Sequence, residues 1–328
     1  MAETKTNLLE AASTNFNFLE DRELSSAACK MAFSSFASNI SRSSTLLAIP
    51  AYAALTATFL TEAKEQIEKE LLGDDRSNAR IRDNQQELTL KISELFKKKL
   101  GSSTPQEQAA NLSRMSDQCE YIFEKSGPGY ERQLEMLLKS ILIQLWVSIE
   151  VMIGDLWELV VNEHPSHLAS LLGKGSQSEK GGDKKSMPLD LLEHYNFNVS
   201  AAMGTILRNR FNFTVLLSAK EAYTLAFRDD GKDIQEAISS DSLRGLAAVR
   251  HLLVHKGGVV DETFLKDSSG VSSLDEMRSL GAGKQIFMDG VTFKKIVEPA
   301  LLSAINLIKA VDAWLLAHPQ THGKSKST

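Results

Sequence analysis

Residues 141–161 read ILIQLWVSIEVMIGDLWELVV, and this run decides the fold. Apolar side chains fall on almost every side of a helical wheel, so a helix here must be covered over most of its surface. Other helices are the natural cover. The run is long enough to cross a bilayer, for which ~20 mostly apolar residues suffice. Glu150 and Asp155 inside it make a poor membrane span, so the centre of a helical bundle is expected instead. Glu150 is flanked by Ile149, Val151 and Met152, with Val147 a turn before. Two readings of it stay open: a buried carboxylate that needs a cationic partner, or an acid on a solvent stripe.

Working outward, the helix is expected over 130–161, after the break Ser126-Gly127-Pro128-Gly129 and before Pro165. Downstream, helical patterns cover 189–194, 199–209, 213–227, 233–239 and 292–317. The last is apolar at Ile296, Leu301, Ala304, Ile305, Ile308, Val311, Trp314 and Leu315. A Gly- and Lys-rich insert at 173–188 is expected to be mobile, and the Ser/Gly-rich stretch after Asp261 to be irregular through Gly283. Residues 285–288 suggest a short extended piece. Upstream, helices are expected over 8–19, 25–40 (packing through Met31, Phe33 and Phe36), 45–72 with Pro50 inside, a segment carrying Leu88 and Ile92, and 105–125. No repeat and no alternating strand pattern occurs. The expected fold is all-α, with an N-terminal helical region (1–126, regulatory or interacting), a helical bundle (129–317) and a disordered tail (318–328).

Composition narrows the function. Among 328 residues, 42% are apolar and 24% charged, as in an ordinary soluble protein. The net charge of −5 argues against broad nucleic-acid binding but leaves room for a local basic cleft. Cys29 and Cys119 are far apart and the N-terminus lacks an apolar signal segment, so a reducing, cytoplasmic setting is expected. The uncharged run 43–61 raises the membrane question. It is rich in Ala and Thr, contains Pro50 and leads into a charged helical run, so a buried helix is expected and no membrane association.

Chemistry concentrates at 247–260, AAVRHLLVHKGGVV. Asp241 or Ser242 can cap the start of this helix, and Gly257 and Gly258 end it. His251 and His255, four apart, share a helix face and a spacing suited to zinc. The Glu of an HExxH site is missing and no Cys or acid stands nearby, so no metal and no cofactor are expected. Alternatively Arg250 and His255 work together. Five residues apart they diverge by about 140°, a gap that a long Arg side chain and two copies of the helix meeting in a dimer would close. Such a cleft suits RNA cleavage by the RNA's own 2′-hydroxyl, with His moving the proton and Arg neutralising the phosphorane. Lys256 would add phosphate attraction, and Arg208 with Arg210 form a second basic spot. The plainest alternative is a pair of surface histidines at a helix end.

Arg250-His251-Leu252-Leu253-Val254-His255 resembles the HEPN signature: an Arg, a polar residue (often Asn, Asp or His) and, after a short gap, a His. The following KGGVVDETF and the order of helices from 129 to 317 are also similar to a HEPN bundle of the RiboL-PSP or abortive-infection kind; residues 1–126 are not covered. The resemblance implies a metal-independent endoribonuclease acting as a homodimer in toxin–antitoxin or antiphage systems. By match to the motif, Arg250 and His255 would be catalytic and His251 supporting. RNA is then the substrate, with an antitoxin or second defence subunit as a further partner. Glu150 is a candidate for orienting Arg250. Since some members of the superfamily have lost activity, a non-catalytic interaction module is the alternative.

Overall fold

The all-round apolar pattern of residues 141–161 is met by burial. A computed structural model describes residues 24–72, 84–101, 128–169 and 189–319. Its helices, in chain order, are α1 (Ala27–Leu72), α2 (Gln85–Gly101), α3 (Pro128–Glu163), α4 (Pro165–Leu168), α5 (Leu189–His194), α6 (Met203–Arg208), α7 (Leu216–Phe227), α8 (Lys232–Ile238), α9 (Asp241–Lys256), α10 (Glu262–Asp267), α11 (Asp275–Ser279) and α12 (Gly290–Ala317). Short 3-10 turns lie at Arg228–Asp230 and Ser272–Leu274. Among the described residues there is no strand, so the fold is all-α. The only β feature described is a single antiparallel bridge between Val259 and Gln285.

α3 is the central post. α1, α6, α7, α9 and α12 all pack on it. Leu138, Leu142, Leu145, Ile149, Leu156, Trp157 and Val160 are fully buried along its length. Each such side chain contributes roughly 1.5–3 kcal/mol by leaving water. Polar atoms inside this apolar contact find partners: Trp157 Nε1 donates to the Ala222 carbonyl at 3.1 Å, and Tyr223 Oη to the Ile153 carbonyl at 2.8 Å. These two bonds fasten α7 to α3. α12 buries every position expected of it, from Ile296 to Leu315. By length and composition α3 and α12 are apolar enough to cross a membrane; half or more of each apolar window is buried inside the protein.

The structure departs from the sequence pattern in several places. The patterns at 25–40 and 45–72 are one helix, α1, which runs through Pro50. Its stripe Ala28, Ala32, Phe36, Ile40 and Leu47, spaced mostly by four, is buried in the same apolar cluster as Leu138 and Leu142 of α3. Met31, expected to pack, is exposed, whereas Phe36 is buried. α3 begins at Pro128, within the Gly-Pro break, and described residues before and after that break share one core. Asp312 of α12 reinforces this junction by accepting from the Ser25 and Ser26 N–H groups at 2.8 and 2.7 Å, donors left free at a helix start. The stretch after Asp261 is not irregular. Asp261 caps α10 by accepting from Phe264 N, and Arg278 of α11 donates to the Ser268 and Val271 carbonyls. The first residue of the tail also docks: His318 stacks on Trp314 with centroids 4.2 Å apart. The expected helices at 8–19 and 105–125, the insert at 173–188 and the tail beyond Pro319 lie outside the described residues.

α6 seats against α3 through a glycine. Asn162 Oδ1 accepts from the Gly204 N–H at 2.7 Å, and a Cβ on Gly204 would come within 2.1 Å of the Glu158 carbonyl oxygen. Gly204→Ala must push α6 off α3, and we expect a loss of about 1–3 kcal/mol in denaturant unfolding. An unchanged unfolding midpoint would show that the contact is not tight.

Candidate functional site

Arg250, His251 and His255 all lie on α9. Leu243, Leu246, Val249 and Leu252 of that helix are buried, which turns its polar residues outward. The N-cap is Ser240, one residue before Asp241 and two before Ser242; its hydroxyl accepts from Leu243 N. Asp241 instead enters the first turn and pairs with Arg244 at 2.8 Å. The expected stop is where the glycines stand. Gly257 adopts φ +60°, a left-handed conformation that costs a residue with a Cβ, and both Gly257 and Gly258 donate to the Leu252 carbonyl. Beyond the stop the chain is held by bonds of Val260 N to Lys284 O, Gly283 N to Val260 O and Ile286 N to Gly258 O, each 2.8–2.9 Å. This is the extended piece read at 285–288. The helix end that bears His255 is thus anchored at both its start and its finish.

Arg250, His251 and His255 line one groove of about 740 Å³. Val215, Leu217 and Lys220 of the α7 region, Arg244 of α9, and Lys266 and Asp267 of α10 line it with them. The His251 and His255 rings are neighbours, 4.5 Å between centroids. Arg250 points towards α3: its Nη2 stands 3.9 Å from Glu150 Oε1. Trp146 Nε1 donates to that same carboxylate oxygen at 2.5 Å. Arg250 and His255 nevertheless both border the groove within one chain.

Glu150 is 8% exposed, which settles its alternative readings: it is the buried carboxylate, and Arg250 is the cation beside it. Burial raises its pKa above the ordinary 4.5, while the Trp146 hydrogen bond and the Arg250 charge pull it back down. Two arginines here face opposite situations. Arg208 of α6 donates to Asp155 at 2.7 Å and to Glu158 at 2.6 Å on α3. Desolvation would lower its pKa, but those two carboxylates hold it above the ordinary value. Arg250 has one acid at the limit of an ion pair, and its buried Nε has no hydrogen-bond partner. Arg208 is committed to holding α6 in place; Arg250 keeps donor capacity.

The other expected phosphate contacts are elsewhere. Lys256 pairs with Asp261 at 3.5 Å, Arg210 is exposed in the turn after α6, and neither they nor Arg208 line the groove. The cations that do, besides Arg250, are Lys220, Arg244 and Lys266. Arg244 was legible: seven residues before His251, it lies on the same face of the helix. Lys220 and Lys266 carry no local signal, because they reach the groove from other helices. Among the described residues no group of three His, Cys, Asp or Glu side chains converges as metal ligands do. Comparison with protein-family models, with curated proteins and with solved structures gives no match to this chain.

The raised pKa of Glu150 gives a signed prediction. The folded protein holds the Glu150 proton more tightly than the unfolded chain, so this contribution to stability is fully present below 4.5 and is lost as pH rises through the folded value. Glu150→Gln cannot ionise and escapes that loss. Its melting temperature relative to wild type should climb from pH 4 towards neutrality. A difference that stays flat over that range would mean that Glu150 is not desolvated.

Proposed function

We propose that this chain is a metal-independent endoribonuclease of HEPN type, working as a homodimer in the cytoplasm in toxin–antitoxin or antiphage defence. The observation that carries the reading is that an arginine held only by one long ion pair lines the same groove as two adjacent imidazoles. The chemistry asks for just these groups. His255 takes the proton of a ribose 2′-hydroxyl, whose oxygen attacks the adjacent phosphorus. The bond to the 5′ oxygen breaks, a 2′,3′-cyclic phosphate forms, and the leaving 5′ oxygen receives a proton from a second imidazole. Arg250 bears the charge that grows on the phosphorane, and general acid–base help of this kind contributes about 10²–10⁴-fold. His251 supports His255 through ring contact. Glu150, fixed by Trp146, acts as a positioning residue that aims the Arg250 side chain.

A second copy of the chain fits the exposed apolar residues around the Glu150–Arg250 contact. Val147 and Val151 flank Glu150, Val254 lies one turn beyond Arg250, and all three are 40–47% exposed. Pairing two copies there would bring two sets of Arg250 and His255 together. An antitoxin or other defence subunit covering the same face would hold the enzyme off. In the alternative reading this face serves only to bind a partner protein, and the histidines do no chemistry.

Purified wild type should cleave RNA in the presence of EDTA and arrest growth when induced in a bacterial host. Arg250→Ala and His255→Ala should each lose about 10²-fold or more in cleavage. His255→Ala should keep its melting temperature. Arg250→Ala should lower it, because Glu150 then lacks its cation, so its cleavage is read well below its own transition. Cleavage abolished by EDTA, or toxicity equal in wild type and both variants, would overturn the nuclease reading; the second result would favour the interaction module. Val254→Lys should convert a dimer, measured by light scattering during gel filtration, into a monomer. A wild type that is already monomeric at every concentration would remove the dimer from the proposal.

A further inference from the structure

The groove runs past the Arg250–His255 pair, and the groups beyond that pair have their own chemistry. Lys220 on α7, Arg244 on α9 and Lys266 on α10 belong to three different helices, yet all line this one concavity. With Arg250 they set four cations against a single lining acid, Asp267, in a chain whose net charge is −5. The paired lysines elsewhere show the contrast: Lys139 meets Glu135 at 2.7 Å, Lys256 meets Asp261, and Lys232 meets Glu236. Lys220 and Lys266 are exposed and have no ion pair among the described residues, so their charge is directed at solvent in the groove. The Arg244 guanidinium is held by Asp241 and by the Ser269 carbonyl at 2.9 Å, with nearly half of the side chain still exposed. Apolar side chains line the groove with the cations: Leu217 is 76% exposed and Val215 47%.

We infer that Lys220, Arg244 and Lys266 form a phosphate track that holds the RNA backbone flanking the cleaved bond, with Leu217 and Val215 as the apolar seat for a base between two phosphates. The identity of the ligand rests on the ribonuclease reading above; the track itself rests on the convergence of three cations from separate helices, of which Lys220 and Lys266 have no ion pair among the described residues. Evenly spread surface lysines would be neutralised locally or scattered, whereas cations converging in one concavity pay a mutual repulsion that an anion relieves. A polyanion relieves several at once and releases condensed counterions, so affinity becomes steeply salt-dependent. These three residues position the substrate; they do not take part in the proton transfers.

The test uses a short single-stranded RNA with 2′-O-methyl groups, which lacks the nucleophile and so reports binding without cleavage. Its dissociation constant is measured on full-length wild type, Lys220→Ala, Lys266→Ala and the double variant from 50 to 300 mM salt, with Lys232→Ala as control. Each lysine removed should lower the slope of log K against log salt by about 0.7 and weaken binding about fivefold at 0.1 M salt. Lys220→Arg should restore both, and on cleavable RNA the double variant should raise KM with little change in kcat. A wild type that cleaves RNA while both lysine variants bind with unchanged affinity and slope would overturn the track and leave the nuclease reading standing. A wild type that neither binds the 2′-O-methyl RNA nor cleaves ordinary RNA would overturn both.

Discussion

Enclosure of α3 is the constraint on which the rest of the structure depends. A helix apolar on nearly every side cannot rest on one neighbour, and here five helices gather on it. That demand reaches far along the described residues. It draws in α1 from the N-terminal region and α12 from the C-terminus, and Asp312 joins the two where α1 begins. It also explains the close approaches, such as Gly204 against the Glu158 carbonyl, because a crowded post leaves little room for side chains between backbones.

A carboxylate within that buried post is the costly feature of the arrangement. Burying an ionised acid is unfavourable unless a charge or donors compensate. Glu150 has both, Trp146 one turn earlier on its own helix and Arg250 from α9. The compensation is partial: the ion pair is long and the Glu150 proton is held more tightly than usual. Arg208 shows what full compensation looks like, two short bonds to two carboxylates on the same post. The difference between the two arginines separates a fastening from a group with donors to spare.

Much of this could be read from residues alone. The all-round pattern of 141–161 named the central helix, the spacing of Ile296 to Leu315 named the last one, and Gly257-Gly258 named the end of α9. Glu150 stood out as an acid among aliphatic neighbours, but a solvent-facing reading stayed open and Arg250 was only a candidate beside it until the packing of α9 on α3 decided both. Boundaries were less legible. Ser240 rather than Asp241 caps α9, since either hydroxyl or carboxylate can accept from a free N–H, and the choice turns on the backbone angle at each residue. The short helices after Asp261 were hidden by their Ser and Gly content, because they are held by Arg278 and by the Asp261 cap rather than by propensity.

The sequence by itself determined the long helices of the bundle, the central post, and the cluster of Arg250, His251 and His255 at one helix end. These follow from local pattern, since periodicity and capping act within a few residues of chain. Only the tertiary structure decided that 24–47 shares the core of the bundle, that Arg208 and Lys256 are bound by acids of their own, and that Lys220 and Lys266 open onto the groove instead. Those outcomes depend on which helices meet. A charge reaches its partner through space, over distances of a few ångströms that sequence separation does not measure.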